Sequence, residues 1–207
     1  MSAHSDGSSA RLTEAQQRLL DAAVEVFAAQ GFGGTSTRDI AGRAGRSPAA
    51  VYVHHPTKED LLFAISERGH RDALDCLQAA YDGSSDPVER LHEMVRLFSL
   101  WHLENVRLAR VVQYELNALT PEHRSEIVGL RREFHRLVAT ALRAGLRDGV
   151  FDVQDEHRTA HSLLSLVIDL VRWFDPELEP DVATIARHNA DLAVRMVRQP
   201  SHPTGEE

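Results

Sequence analysis

Between Gly31 and Leu62 the chain repeats one kind of punctuation. Ser36, Ser47 and Thr57 each stand where a helix would start, and Gly31 and Gly45 stand where the preceding helices would stop. Ser36 with Asp39, and Thr57 with Asp60, have capping-box spacing. Ser47 precedes Pro48, whose missing N–H costs nothing in the first turn of a helix. The sequence therefore predicts helices over 13–30, 37–44 and 48–54, and a long one from Lys58 to about Tyr81. Two short helices joined by a tight glycine turn form a helix-turn-helix, so this stretch restricts the fold more than any other.

The rest of the chain continues in the helical period. Leu91, Met94, Val95 and Phe98 mark one helix, and Leu108, Val111, Val112 and Leu116 the next. Thr120-Pro121 opens another, with Ile127, Leu130, Phe134, Leu137, Val138 and Ala141 inward, and "RDGVF" closes it at 147–151. Two more cover about 155–174 and 180–198. No alternating strand pattern competes, so the fold class is all-α, with nine helices. The expected organisation is a disordered leader at 1–12, a helix-turn-helix head at 13–57, a body at 58–198 and a disordered tail at 199–207.

Composition narrows the function. No apolar run is long enough for a membrane span, so no membrane partner is expected. Cys76 is the only cysteine, which fits a reducing cytoplasm. The net charge of −8 opposes nonspecific coating of nucleic acid, but the acid excess lies mostly beyond residue 62. No P-loop, G-x-S-x-G or H-E-x-x-H occurs, so neither an enzyme, a cofactor nor a metal is expected. One alternative stays open. His157 and His161 sit one helical turn apart, a spacing that can chelate a metal in a metal-dependent helical enzyme or metal sensor.

A recognition helix needs a slim first turn to approach base edges, and Pro48, Ala49 and Ala50 after the Ser47 cap supply one. Its far end needs phosphate donors, which Tyr52, His54 and Lys58 supply. Lys58 is also the only lysine. The stretches "GFGGTSTRDIAGRAG" and "SPAAVYVHHPTKEDLL" resemble the DNA-binding head of TetR-family transcriptional repressors over residues 13–62. The resemblance implies that Thr37 and Arg38 meet phosphate and sometimes a base. It also implies that Pro48, Ala49 and Ala50 face the groove, and that Tyr52, His54 and Lys58 hold phosphates. Two positions depart from the family pattern. Arg46 replaces a usual apolar residue and adds a possible DNA contact, and His55 replaces a frequent Phe.

For the body, the Leu-, Val- and Ala-rich helices 155–174 and 180–198 suit a homodimer interface, because one head covers only one half-site. The helices between them and the head would enclose a sensor cavity. Its candidate lining is Met94, Phe98, Trp101, Tyr114 and Phe134, with His102, Gln113 and Asn117 as polar company. Residues 109–151 resemble the sensor region of TetR-type regulators of fatty-acid and sterol catabolism. That resemblance implies a hydrophobic effector of the acyl-CoA thioester kind, with Arg107, Arg110, Arg131, Arg132 and Arg136 as candidate phosphate contacts. The expected function is a ligand-released repressor on a palindromic double-stranded operator.

Overall fold

The computed structural model describes residues 13–47, 49, 55–179 and 181–198. Among them all regular structure is helical. The leader at 1–12, the tail at 199–207 and most of the short helix at 48–54 lie outside the described residues. Most of the helices begin at a side-chain cap. Thr13 and Gln16 form a capping box at the start of α1 (Glu14–Gly34), Ser36 and Asp39 at α2 (Thr37–Arg43), and Thr57 and Asp60 at α3 (Lys58–Asp82). Asp86 caps α4 (Pro87–Glu104), α5 spans Val106–Tyr114, and a 3-10 turn follows at Leu116–Ala118. Thr120 caps α6 (Pro121–Arg147), Asp155 caps α7 (Glu156–Ile168), and Asp181 caps α9 (Val182–Val197).

Two expectations shift. Gly31, at φ 69°, breaks α1 internally instead of ending it, so one more helical turn precedes α2. The helix expected over 155–174 divides at Asp169 into α7 and a short α8 (Leu170–Trp173). The carbonyls freed at the end of α8 are taken by Arg110, whose Nε donates to Val171 O and whose terminal nitrogen donates to Phe174 O, each at 2.6 Å.

Apolar burial falls into two cores, and α3 belongs to both. Its first half puts Leu61, Leu62 and Ile65 against Leu19, Leu20, Phe27 and Ile40 of the head. Its second half puts Ala73, Leu77 and Ala80 against Leu91, Phe98 and Val138 of the body. The head core also takes in Val111, Leu119 and Ile127, so it continues into the body without a gap. In the body α4 is central, packed by α3, α6, α7 and α9. The alanines that favoured a partner helix, Ala186, Ala190 and Ala193, are buried against this core within the same chain. Their small side chains let α9 approach α4 closely.

Gly145 holds the end of α6. A Cβ there would lie 2.0 Å from Cδ2 of the buried Phe151, whose own N–H donates back to Gly145 O at 3.1 Å. Alanine normally stabilises a helix interior by about 0.5–1 kcal/mol over glycine. Gly145→Ala should reverse that sign and destabilise by about 1–3 kcal/mol through overpacking. Gly129→Ala, in the same helix with no atom within 4 Å of the new carbon, should keep the stabilising sign. Urea unfolding of the two variants checks the contrast.

Candidate nucleic-acid interface and ligand cavity

The head presents Arg38 because the acid beside it is engaged elsewhere. Asp39 accepts from the N–H and hydroxyl of Ser36 at 2.8 and 2.6 Å. The hydroxyl contact, then the backbone one, holds its carboxyl below the usual range. Asp39 thus serves the cap, and Arg38 beside it is exposed with no ion pair to any described residue. Arg43 is paired with Glu25. After α2, Gly45 takes φ 64°, Gly45 N–H donates to Gly42 O at 3.1 Å, and Arg46 N–H donates to Ala41 O at 2.9 Å. This Schellman turn requires a left-handed residue where Gly45 stands. Arg46, Ser47 and Ala49, which follow it, are exposed, and Thr37 at the start of α2 is half-buried. Pro48, Ala50, Tyr52 and His54 lie outside the described residues.

Lys58 sits differently from the phosphate-facing role expected of it. Its ammonium donates to Phe32 O at 2.6 Å and Thr35 O at 2.8 Å, and lies 4.2 Å from the Phe32 ring centroid. Both carbonyls lie at the C-terminal end of α1, where Phe32 O also accepts from Thr35 N–H at 3.3 Å, and the cation adds a charged donor to them. An ammonium has three N–H groups. A phosphate contact would have to share the third. The next residue reaches the other way. Glu59 accepts from Thr120 N–H at 2.9 Å and from His123 Nδ1 at 2.9 Å, and Phe63 stacks on the His123 ring at 3.8 Å. Glu115 adds a second strap, accepting from Phe32 N–H at 3.1 Å. The first turn of α3 therefore grips the head with one residue and the body with the next.

Farther along α3, Gly69, His70 and Ala73 form one wall of a cavity of about 240 Å³. Phe98, Trp101 and His102 of α4, Gln113 of α5 and Phe134 of α6 join them, as the sequence predicts. Three other candidates are not brought to it. Met94 is fully buried one turn away, in a layer closed by Leu91, Val138 and Leu163. Tyr114 is 56% exposed because α5 ends there, and Asn117, on the 3-10 turn beyond, is exposed too. Of the five candidate arginines only Arg131 lines the cavity. Arg110 closes α8, Arg136 is paired with Glu133, and Arg107 and Arg132 are exposed.

The cavity's polar side has a defined proton arrangement. Arg131 Nε donates to His70 Nε2 at 3.1 Å, so that nitrogen must be the acceptor. The His70 proton is therefore on Nδ1, which donates to Ser66 O at 2.7 Å. His102 likewise donates from Nδ1 to Phe98 O at 2.8 Å. Desolvation lowers both histidines to about 4, so both are neutral near pH 7. Arg131 also donates to Val112 O at 3.2 Å and Gln113 Oε1 at 3.3 Å. All its partners are neutral, so a largely buried cation faces the cavity with no carboxylate paired to it among the described residues. His70 escaped the sequence reading because its α3 face, Ser66-Gly69-His70, lacks the large apolar residues that signal a pocket. Arg131 could be picked out only as one arginine among five.

Comparisons with known proteins agree over both parts. The sequence model described as "Bacterial regulatory proteins, tetR family" matches residues 19–65, and that described as "Tetracyclin repressor-like, C-terminal domain" matches residues 84–197. The HTH-type transcriptional repressor KstR2 of Mycolicibacterium smegmatis is 30% identical over 172 residues, 78% of this chain and 80% of that protein. Among solved structures, a bacterial regulatory protein in the tetR family from Rhodococcus RHA1 superimposes with a TM-score of 0.86 at 40% identity, covering 92% of this chain and all of that one (100%). AibR, solved in complex with isovaleryl coenzyme A and operator DNA, follows at 0.77 and 25% identity, over 90% of this chain and 100% of its own. The alternative of a metal-dependent helical enzyme or metal sensor built on His157 and His161 finds no support in these relatives.

The neutral histidines make stability depend on pH. The unfolded chain binds protons at His70 and His102 near pH 6.5, the folded chain only near pH 4. Their contribution is thus complete above about 6.5 and is lost as pH falls towards 4. Unfolding free energy should drop by about 2 kcal/mol per histidine between pH 7 and pH 5, mostly above the carboxylate range. His102→Asn should remove roughly half of that pH dependence, measured by urea unfolding at both pH values.

Proposed function

The chain belongs to the TetR family of bacterial regulatory proteins, and we propose that it is a homodimeric repressor released from a palindromic operator by an anionic acyl effector. The observation that carries this reading is the path of α3. Its first turn holds the head through Lys58 and the body through Glu59, and His70, twelve residues on, is part of the cavity wall. One helix of about 18 Å over that interval joins the two sites. The head extends into α3 as far as Ile65, and the body takes the remainder. Thr37, Arg38, Arg46, Ser47 and Ala49, with Pro48, Ala50, Tyr52 and His54, meet the DNA, and Lys58 positions the head. The protein acts in the cytoplasm, where its operator lies.

The effector's class follows from the cavity. Phe98, Trp101 and Phe134 offer an apolar lining, and Arg131 offers an unpaired guanidinium. About 240 Å³ suits a short acyl group. Pockets that enclose a whole drug-sized ligand begin near ~300 Å³, so a nucleotide handle would project through the mouth. An acyl-CoA thioester fits this description, and the similar AibR is solved in complex with isovaleryl coenzyme A and operator DNA. Ligand binding tilts α3 only by as much as it prefers the released state, typically about 1–3 kcal/mol.

Fluorescence anisotropy with an operator duplex and a series of acyl-CoA thioesters tests the reading. Operator affinity should fall at least about fivefold with the matching thioester. A thioester that raises the melting temperature yet leaves operator affinity unchanged would sink the switching claim. Arg131→Met should raise the thioester concentration needed for release about tenfold or more, since a charge-assisted contact carries about 1.5–3 kcal/mol.

The dimer reading rests on what the two last long segments leave outside. Trp173 is 53% exposed and Met196 51%, both within the helices expected to pair. Trp173→Glu should shift the species seen by light scattering from dimer to monomer and weaken operator binding by more than tenfold, because a monomer covers one half-site.

A further inference from the structure

The cavity's rim gathers three imidazoles from two helices. His157 and His161 stand one turn apart on α7, and His135 meets them from α6. The ring centroids lie 4.2, 4.2 and 4.8 Å apart. His135 and His161 line the cavity, and His157 is exposed beside them. His135 Nε2 and His161 Nδ1 both lie within hydrogen-bond distance of His157 O, at 3.0 and 3.1 Å. A carbonyl oxygen only accepts, so each of these nitrogens carries its proton there. Each ring keeps a lone pair on its other nitrogen. The nearest acid in sequence, Glu156, is engaged by Arg143 at 3.0 Å and does not neutralise the group.

We propose that His135, His157 and His161 bind one divalent transition-metal ion at the rim of the cavity, with a coordination position open towards it. One ring nitrogen of each already lies within 4.8 Å of the others. A tetrahedral ion with bonds of 2.0–2.1 Å sets its nitrogens about 3.3 Å apart. The widest pair must therefore close by about 1.5 Å, which rotation of rim side chains supplies. An all-imidazole donor set suits zinc, cobalt or nickel and not magnesium or calcium. Contact between a ligating ring's other N–H and a backbone carbonyl is the usual outer support of such sites. Three protein ligands leave the fourth position for water or for an oxygen of a ligand in the cavity. The ion would bridge α6 and α7 and so brace two walls of the cavity. It makes the protein a metal-loaded regulator and assigns it no metal-dependent catalysis.

The test uses the full chain without an affinity tag, stripped with chelator and titrated with Co(II). The expected result is visible d–d absorption that saturates at one Co(II) per chain and is displaced by Zn(II). Each of His135→Gln, His157→Gln and His161→Gln should weaken binding about tenfold or more. Melting curves of the metal-free variants establish that they fold. Three results overturn the proposal: no saturable binding at micromolar Co(II), binding that survives the triple variant, or binding that His135→Gln leaves unchanged. The last would reduce the site to an ordinary i, i+4 surface pair. Because the readout involves neither operator nor acyl ligand, its failure leaves the repressor reading standing, and the reverse also holds.

Discussion

The structure depends on the insertion of one helix into two cores. α3 gives Leu61, Leu62 and Ile65 to the head and Ala73, Leu77 and Ala80 to the body. A helix of this length is stiff on the scale of side-chain contacts, so displacement at one end is felt at the other. The polar contacts at its start fix the angle at which the head is held. Lys58 ties two carbonyls at the C-terminal end of α1, and Glu59 ties the first turn of α6. Had α3 begun a few residues later, the contact from Glu115 to Phe32 N–H would be left as the polar strap between head and body, beside apolar contact that has no preferred angle.

The cavity makes the opposite use of polarity. Burying a guanidinium without a carboxylate is unfavourable unless its N–H groups find acceptors. Here the acceptors are a neutral imidazole, a carbonyl and an amide, so hydrogen bonding is satisfied while charge is not. A carboxylate in their place would stabilise the empty protein and compete with an anionic ligand. Neutral His70 is part of the same arrangement. Were it protonated, its Nε2 could not accept from Arg131, and two cations would face each other across the cavity wall.

Local chemistry was legible in the sequence and tertiary chemistry was not. The caps at Ser36, Thr57 and Thr120 and the turn at Gly45 were readable because each is decided within a few residues. Phe98, Trp101, His102 and Phe134 were readable as cavity residues because they share the inner faces of long periodic helices. Met94 shares that face as well, and only the layer packed over it excludes it from the cavity. Tyr114 is the last residue of α5 and Asn117 lies on the turn beyond it, so the helical period no longer carries either to the cavity. The roles of Lys58, Arg131 and His135 depend on partners 18 to 61 positions away, and no spacing rule reports those.

Those distant partners also set the scale of the proposed switch. A coupling of about 1–3 kcal/mol between ligand and operator is the worth of one or two charge-assisted hydrogen bonds. The strap from Glu59 to Thr120 and His123 is of that size, and the Glu59 side chain is only 16% exposed. It joins α3 to the start of α6, and the same α6 carries Arg131 and Phe134 into the cavity. A ligand that draws Arg131 inward therefore acts on both helices that the strap connects. The head need not be dislodged from its core for operator affinity to fall. A change in the angle between the first turns of α3 and α6 is enough, because a dimer reads two half-sites about 34–36 Å apart and small rotations near the cavity become large displacements at that separation.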